Sequence, residues 1–277
     1  METFFTFLEK RVDDCSSLLC VGLDPHISEL KEPTAASALD FCLNLVKQTA
    51  PYAAAFKPNA AFFEVFGAEG WTTLKQVIEA IDEESKRLGS MIPVILDAKR
   101  GDIASTAEAY AKSAFESLGA HCITLSPYLG HDSIESFLNY PEKGVFLLCK
   151  TSNAGSMDIQ NLLVLPPAED SPMPMYNYVA QLAQKWNTNN NIGIVVGATH
   201  PQIMSNIRAS APDLWFLTPG VGAQGGDLEV AMKAGLRKDG KGMLIPISRS
   251  ISRAENPKLA AAEIRDEILR IKRELSH

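Results

Sequence analysis

Several kinds of chemistry are missing from this 277-residue sequence. The five cysteines, Cys15, Cys20, Cys42, Cys122 and Cys149, are odd in number, scattered, and never spaced as CxxC. That excludes a disulfide framework or a paired-cysteine metal site and suits reduced core residues of a cytoplasmic protein. The histidines, His26, His121, His131, His200 and His277, form no HxH or HxxxH pair, so no metal is expected. No apolar run approaches the length of a bilayer span, and Met1-Glu2-Thr3-Phe4-Phe5 carries an early acid in place of a basic leader. Neither a membrane nor export is therefore expected. A basic surplus is lacking too: the net charge of −7 argues against nucleic acid or an anionic membrane as partner, while leaving room for a small basic pocket. There is no Ser/His nucleophile elbow.

What is present is ordinary globular material, 46% hydrophobic and 21% charged, enough for a sizeable core. The length allows one large α/β domain or two small ones. With no boundary or low-complexity tract in view, a single domain over 1–277 is expected.

Eight short apolar runs recur with helical stretches between them. They begin at Leu18, Ala53, Ile92, Cys122, Gly144, Ile192, Leu214 and Met243. Helical spacing is clear for Leu74, Val77, Ile78 and Ile81, and again for Ile264, Ile268, Ile271 and Leu275 behind an Asn256-Pro257 start. Eight β-then-α units suit a (β/α)8 TIM barrel, which takes about 250 residues; a doubly wound open sheet is the competing architecture. The barrel is favoured because Asp24, Lys57, Asp97, Lys99, Ser126, Ser152, Thr199 and Arg249 all fall at the trailing ends of runs, which in a barrel meet around one site. Asn153 to Met175 is rich in proline and weakly periodic, and is expected to be a lid or an insertion packed on the barrel.

The chain is organised around Ile95-Leu96-Asp97-Ala98-Lys99-Arg100-Gly101-Asp102. An apolar strand ending in charges needs a reason. Alternation turns Asp97 and Lys99 to one side, Gly101 allows a tight departure, and the loop can return the Asp102 carboxylate. A lysine between two acids is expected to stay protonated and to act as a proton donor rather than a Schiff-base nucleophile. Ser105-Thr106-Ala107-Glu108 fits a capping box, so Ser105 is expected to start the next helix. Lys57, ending a strand of alanines and Phe56, needs a carboxylate from Asp97, Asp102 or Asp24. Asp24 either binds substrate or caps the helix behind it. Thr218 to Asp227, with Gly220 and Gly222, is glycine-rich after the seventh run; with Arg249 after the eighth it reads as a phosphate site.

In this order the motifs resemble the orotidine 5′-phosphate decarboxylase family, in particular its longer branch. The resemblance rests on Val21-Gly22-Leu23-Asp24-Pro25, Phe56-Lys57-Pro58-Asn59, Asp97-Ala98-Lys99-Arg100-Gly101-Asp102-Ile103 with Ser105-Thr106, Thr218 to Gly226, and Arg249. It implies a cofactor-free decarboxylase acting on orotidine 5′-phosphate as a homodimer of TIM barrels. It further implies an array of Lys57, Asp97, Lys99 and Asp102, with Asp102 and Thr106 supplied by the neighbouring subunit. Lys99 would protonate C6 of the pyrimidine, Asp97 would sit near the departing carboxylate, and Lys57 and Asp24 would hold the ribose. Ser152 would read the pyrimidine edge, and Gln224 and Arg249 would grip the phosphate. Two alternatives stand beside this reading: a Mg²⁺-dependent sugar-phosphate decarboxylase on the same frame, and a catalytically silent nucleotide-binding barrel.

Overall fold

The computed structural model describes residues 2–167, 169–222 and 225–275. Each of the eight apolar runs contains a strand: β1 (Leu19–Leu23), β2 (Ala55–Pro58), β3 (Ile95–Arg100), β4 (Cys122–Leu125) and β5 (Gly144–Lys150) come first. A short pair, β6 (Leu163–Val164) and β7 (Met173–Pro174), intervenes before β8 (Ile192–Val196), β9 (Phe216–Leu217) and β10 (Met243–Ile247). The long strands are parallel and ordered β2-β1-β10-β9-β8-β5-β4-β3. The two ends of that sheet meet through the bridges Phe56 with Val94 and Asn59 with Asp97. There the amide of Phe56 donates to the Pro93 carbonyl at 2.9 Å and that of Ala60 to the Asp97 carbonyl at 3.1 Å. The sheet is thus a nearly closed (β/α)8 barrel and not an open doubly wound one. Strands β1, β2, β4 and β8 are buried at every residue, which is why they read as continuous apolar runs without alternation.

The helices follow their stripes. Helix Gly67–Leu88 buries Leu74, Val77, Ile78 and Ile81. Helix Pro257–Leu275 buries Ile268 and Ile271, and its first turn is capped where the Leu259 amide donates to Asn256 Oδ1 at 3.1 Å. Leu275, at the far end of that stripe, is exposed. All five cysteines are buried and free. No helix among the described residues is long and apolar enough to cross a membrane.

One end of the barrel is plugged. Helix Phe4–Cys15 precedes β1 and buries Phe4, Phe5, Leu8 and Val12. Phe5 stacks on Trp215 at 6.2 Å and meets Phe146 edge-on at 5.5 Å. Phe4 lies so close to Gly144 that a Cβ there would come within 2.4 Å of the ring, so only glycine lets the helix seat. Arg11 fastens it by donating to the carbonyls of Ala50 and Ala53 at 2.6 and 3.0 Å. With the N-terminal ends of the strands sealed by aromatic packing, the polar residues at their C-terminal ends line the opening.

The segment after β5 carries structure of its own. It holds a 3-10 turn (Ala154–Ser156), a helical turn (Met157–Gln160) and the antiparallel β6–β7 ribbon. Met175 N–H returns to the Leu162 carbonyl at 2.8 Å, so the proline-rich stretch leaves and rejoins the chain at one point.

Candidate active site

The charged end of β3 folds differently from a regular strand. Its register against β4 shifts between Leu96 and Arg100, and Lys99 takes a left-handed φ of 47°. The cause is Thr124 on β4, whose Oγ1 accepts the amides of both Ala98 and Lys99 at 3.1 and 3.0 Å. Gly101 does not supply the turn, since the left-handed residues are Lys99 and Ala104. Gly101 instead admits the neighbouring strand end, because a Cβ there would lie 3.2 Å from the Ser126 carbonyl oxygen.

This kink brings Lys99 back onto Asp97. Lys99 Nζ donates to Asp97 Oδ1 at 2.6 Å, and Thr124 Oγ1 donates to the same oxygen at 3.0 Å. Lys57 Nζ donates to Asp97 Oδ2 at 2.8 Å. The carboxylate that Lys57 needs is therefore Asp97. The two lysines differ in access: the Lys57 side chain is 11% exposed and that of Lys99 50%, so Lys99 is the more accessible of the two. Burial favours a neutral Lys57, but the charges of Asp97 and Asp24 outweigh it and raise its pKa above the ordinary lysine value. Burial likewise opposes ionisation of Asp97, yet Lys57 and Lys99 together hold its carboxyl well below the usual carboxylate range.

Above the cluster lies a cavity of about 930 Å³ lined by Lys57, Asp97, Lys99, Thr124, Ser126 and Ser152, with Leu148, Val195, Leu217 and Pro219 among its apolar walls. Charged groups converging in a largely apolar hollow at the C-terminal rim are what a barrel enzyme's site requires.

The other expected residues fall in different places. Asp24 directly follows β1, with Oδ1 buried and without a hydrogen-bond partner among the described residues. It caps no helix, since the following 3-10 turn Ile27–Glu29 has His26 at its N-cap and no side-chain cap bond. Asp102 does not join the cluster within this chain: its Oδ1 accepts the amide of Ile103 at 2.8 Å. Thr106 is exposed on helix Ala104–Lys112. Ser105 is no cap, because that helix starts one residue earlier, behind Ile103.

Gly220 and Gly222 adopt φ of 101° and 70°, but the glycine loop closes on itself. The amides of Gly222, Gly225 and Gly226 donate to the carbonyls of Gly226, Gly222 and Gly220 at 2.9, 2.8 and 3.0 Å. The expected anion nest is thus not formed by these amides, which a Val221–Gly226 bridge turns inward. Arg249 is exposed and, among the described residues, its side chain makes no hydrogen bond or ion pair. Gln224 lies outside the described residues. Thr124 was missed by sequence reading; its only local signal is a hydroxyl inside an apolar strand.

Residues 17–264 match the Orotidine 5'-phosphate decarboxylase / HUMPS family. The chain is 43% identical over 276 residues to an orotidine 5'-phosphate decarboxylase of Roseiflexus castenholzii, covering 96% of this chain and 97% of that one. Among solved structures it is similar to Leishmania donovani OMP decarboxylase, with 51% identity, 98% and 99% of the two chains covered and a TM-score of 0.86. It is also similar to Leishmania donovani UMP synthase, at 52% identity and a TM-score of 0.88, where 98% of this chain spans 57% of that one. With its barrel, its rim cluster and a match over most of its length, the chain belongs to the orotidine 5'-phosphate decarboxylase / HUMPS family.

Proposed function

We propose that this chain decarboxylates orotidine 5'-phosphate to UMP and CO2 and that Lys99 is the acid. The observation that carries the reading is the Lys57–Asp97–Lys99 network at the open rim of the barrel. The C6–carboxylate bond breaks, CO2 leaves, and the electron pair left on C6 takes a proton from the Lys99 ammonium, which water then restores. A cation fixed where that negative charge develops stabilises the transition state without reorganising. Asp97 aims Lys99 through the 2.6 Å bond, and Lys57 with Asp24 holds the ribose hydroxyls. Ser152, on the cavity wall, faces the pyrimidine edge. Arg249, with its fork uncommitted among the described residues, grips the phosphate, and Gly220, Gly222 and Gln224 are read as its other contacts.

The site is completed in a homodimer. Asp102 makes no bond to its own cluster, its Oδ1 accepting the Ile103 amide, and Thr106 is exposed, which supports their donation to the neighbouring subunit's array. We read the chain as one cytoplasmic barrel domain.

Two ammonium groups already neutralise the Asp97 carboxylate, with a hydroxyl on the same oxygen as one of them, which favours the metal-independent reading over the Mg²⁺ sugar-phosphate one. The test is the loss of orotidine 5'-phosphate absorbance in excess chelator, with Lys99→Ala beside the parent. Metal-independent turnover that disappears in the variant is expected. No turnover by a folded parent would overturn the reading, and binding without turnover would identify a silent nucleotide binder.

A further inference from the structure

A third lysine is buried more deeply than either lysine of the cluster. Lys150 ends β5 and is 1% exposed, and among the described residues no carboxylate is paired with it. Its ammonium donates to Ser156 Oγ at 2.7 Å and to Asn161 Oδ1 at 3.0 Å. Both acceptors are neutral, and both belong to the segment that follows β5. Enclosing an ammonium with neutral partners is costly, and burial pulls its pKa below the ordinary lysine value.

The next residue is tied down in the same way. Gln160 Oε1 accepts the Thr151 amide at 2.9 Å, and Gln160 Nε2 donates to Thr151 Oγ1 at 2.9 Å. Residue 150 is thus bound to 161 and residue 151 to 160, closing the intervening chain into a compact loop whose ends are held by side chains. That loop is a wall of the catalytic cavity, contributing Thr151, Ser152, Ser156, Ile159 and Gln160 to its lining.

We infer that Lys150 is a positioning residue, whose buried ammonium pins the 151–161 loop in the shape that presents Ser152 to the substrate base. The inference rests on the decarboxylase reading for its substrate, but the pin itself is independent of it. Chemistry occurs at Lys99 on β3, separated from β5 by β4, so loosening this wall costs ground-state and transition-state binding alike. Such uniform losses raise KM and leave kcat in place.

The test is Lys150→Met, which keeps the chain length and removes the cation, assayed with orotidine 5'-phosphate and by amide hydrogen exchange. KM is expected to rise by at least roughly tenfold with kcat within about threefold of the parent. Exchange is expected to accelerate in the 151–161 peptide and to stay unchanged in the β3–β4 region. A variant that merely lost folded protein would instead lower kcat at constant KM, and that result would overturn the inference. Should Lys150→Met fail to fold, Asn161→Ala keeps the ammonium bound to Ser156 and is expected to give smaller changes in the same directions. Unchanged exchange of 151–161 in a folded variant overturns the pin whether or not the parent turns over this substrate. Turnover by the parent with an unaltered KM in Lys150→Met overturns the pin alone.

Discussion

The hydroxyl of Thr124 donates to Asp97 Oδ1 at 3.0 Å while accepting the amides of Ala98 and Lys99. One side chain of β4 therefore sets both the backbone turn that carries Lys99 and the carboxylate that aims it. Thr124→Val keeps the shape and removes every one of these bonds. We expect kcat to fall roughly a hundredfold, as misplaced reacting groups commonly cost that much, while Thr124→Ser retains most activity. Steady-state kinetics on the two variants decides it.

Asp97→Asn leaves two ammonium groups facing a neutral amide, one of them nearly enclosed. Removing one partner of a buried pair is costly, roughly 3 kcal/mol. The pH window follows from the shifts. The depressed Asp97 pKa contributes stability that is present above the unfolded aspartate value of about 3.9 and is lost as pH falls through the folded one. The raised Lys57 pKa contributes stability that is present below about 10.4 and is lost as pH climbs through its folded value. The gap between parent and Asp97→Asn in urea unfolding should therefore be flat from about pH 5 to pH 9. A gap that vanished at pH 7 would contradict the assignment of the network as a buried ion cluster.

Arg249 is exposed and its side chain makes no hydrogen bond or ion pair among the described residues, so truncating it should leave folding intact. Arg249→Ala is expected to keep its melting temperature and to raise KM roughly a hundredfold through the missing phosphate fork. A fall in stability with KM unchanged would make Arg249 a structural residue.

His121 supplies an independent pH handle far from the chemistry. Its Nδ1 accepts the Val94 amide at 3.2 Å, and burial, with the nearby Lys143 charge, lowers its pKa to about 4. Below about pH 6.5 the unfolded chain takes up a proton that the folded one refuses, so stability declines between roughly pH 6.5 and pH 4. His121→Asn should flatten that decline in urea titrations run at stepped pH; an identical slope in the variant would remove His121 as its source.

Shared sites have an arithmetic signature. If Asp102 completes the neighbouring array, Lys99→Ala and Asp102→Ala homodimers are each inactive. Mixing them after dissociation places both lesions in one site of the heterodimer and leaves the other intact, so about a quarter of parent activity should return. No recovery, with exchange of subunits verified by mass, would place Asp102 in its own chain's site or outside any site.

Much of this molecule is legible in one dimension because barrel strands are buried on both faces. Runs such as Leu19–Leu23 and Ile192–Val196 therefore stand out without any knowledge of their neighbours, and a charge at the end of such a run marks the rim. Lys57, Asp97 and Lys99 were found that way, from the conflict between an apolar strand and a charge it must accommodate. Local rules failed where a distant group overrode them. Regular alternation does not bring Asp97 and Lys99 together; Thr124, twenty-five positions beyond Lys99 in the numbering, twists the strand to do so. The same twist left Gly101 without the turn expected of it. Ser105 looked like a cap by spacing, yet the chain arriving from that twist starts its helix at Ala104. The glycine loop carried an anion signature, but whether its amides face outward or bond to one another depends on how the loop closes. The compact loop after β5 depends on Lys150 meeting Ser156 and Asn161 and on Gln160 meeting Thr151. Strand positions and charge placement follow from burial, which each residue's own chemistry reports. The direction of an amide or a carboxylate follows from partners far along the chain, and only the folded barrel brings those partners together.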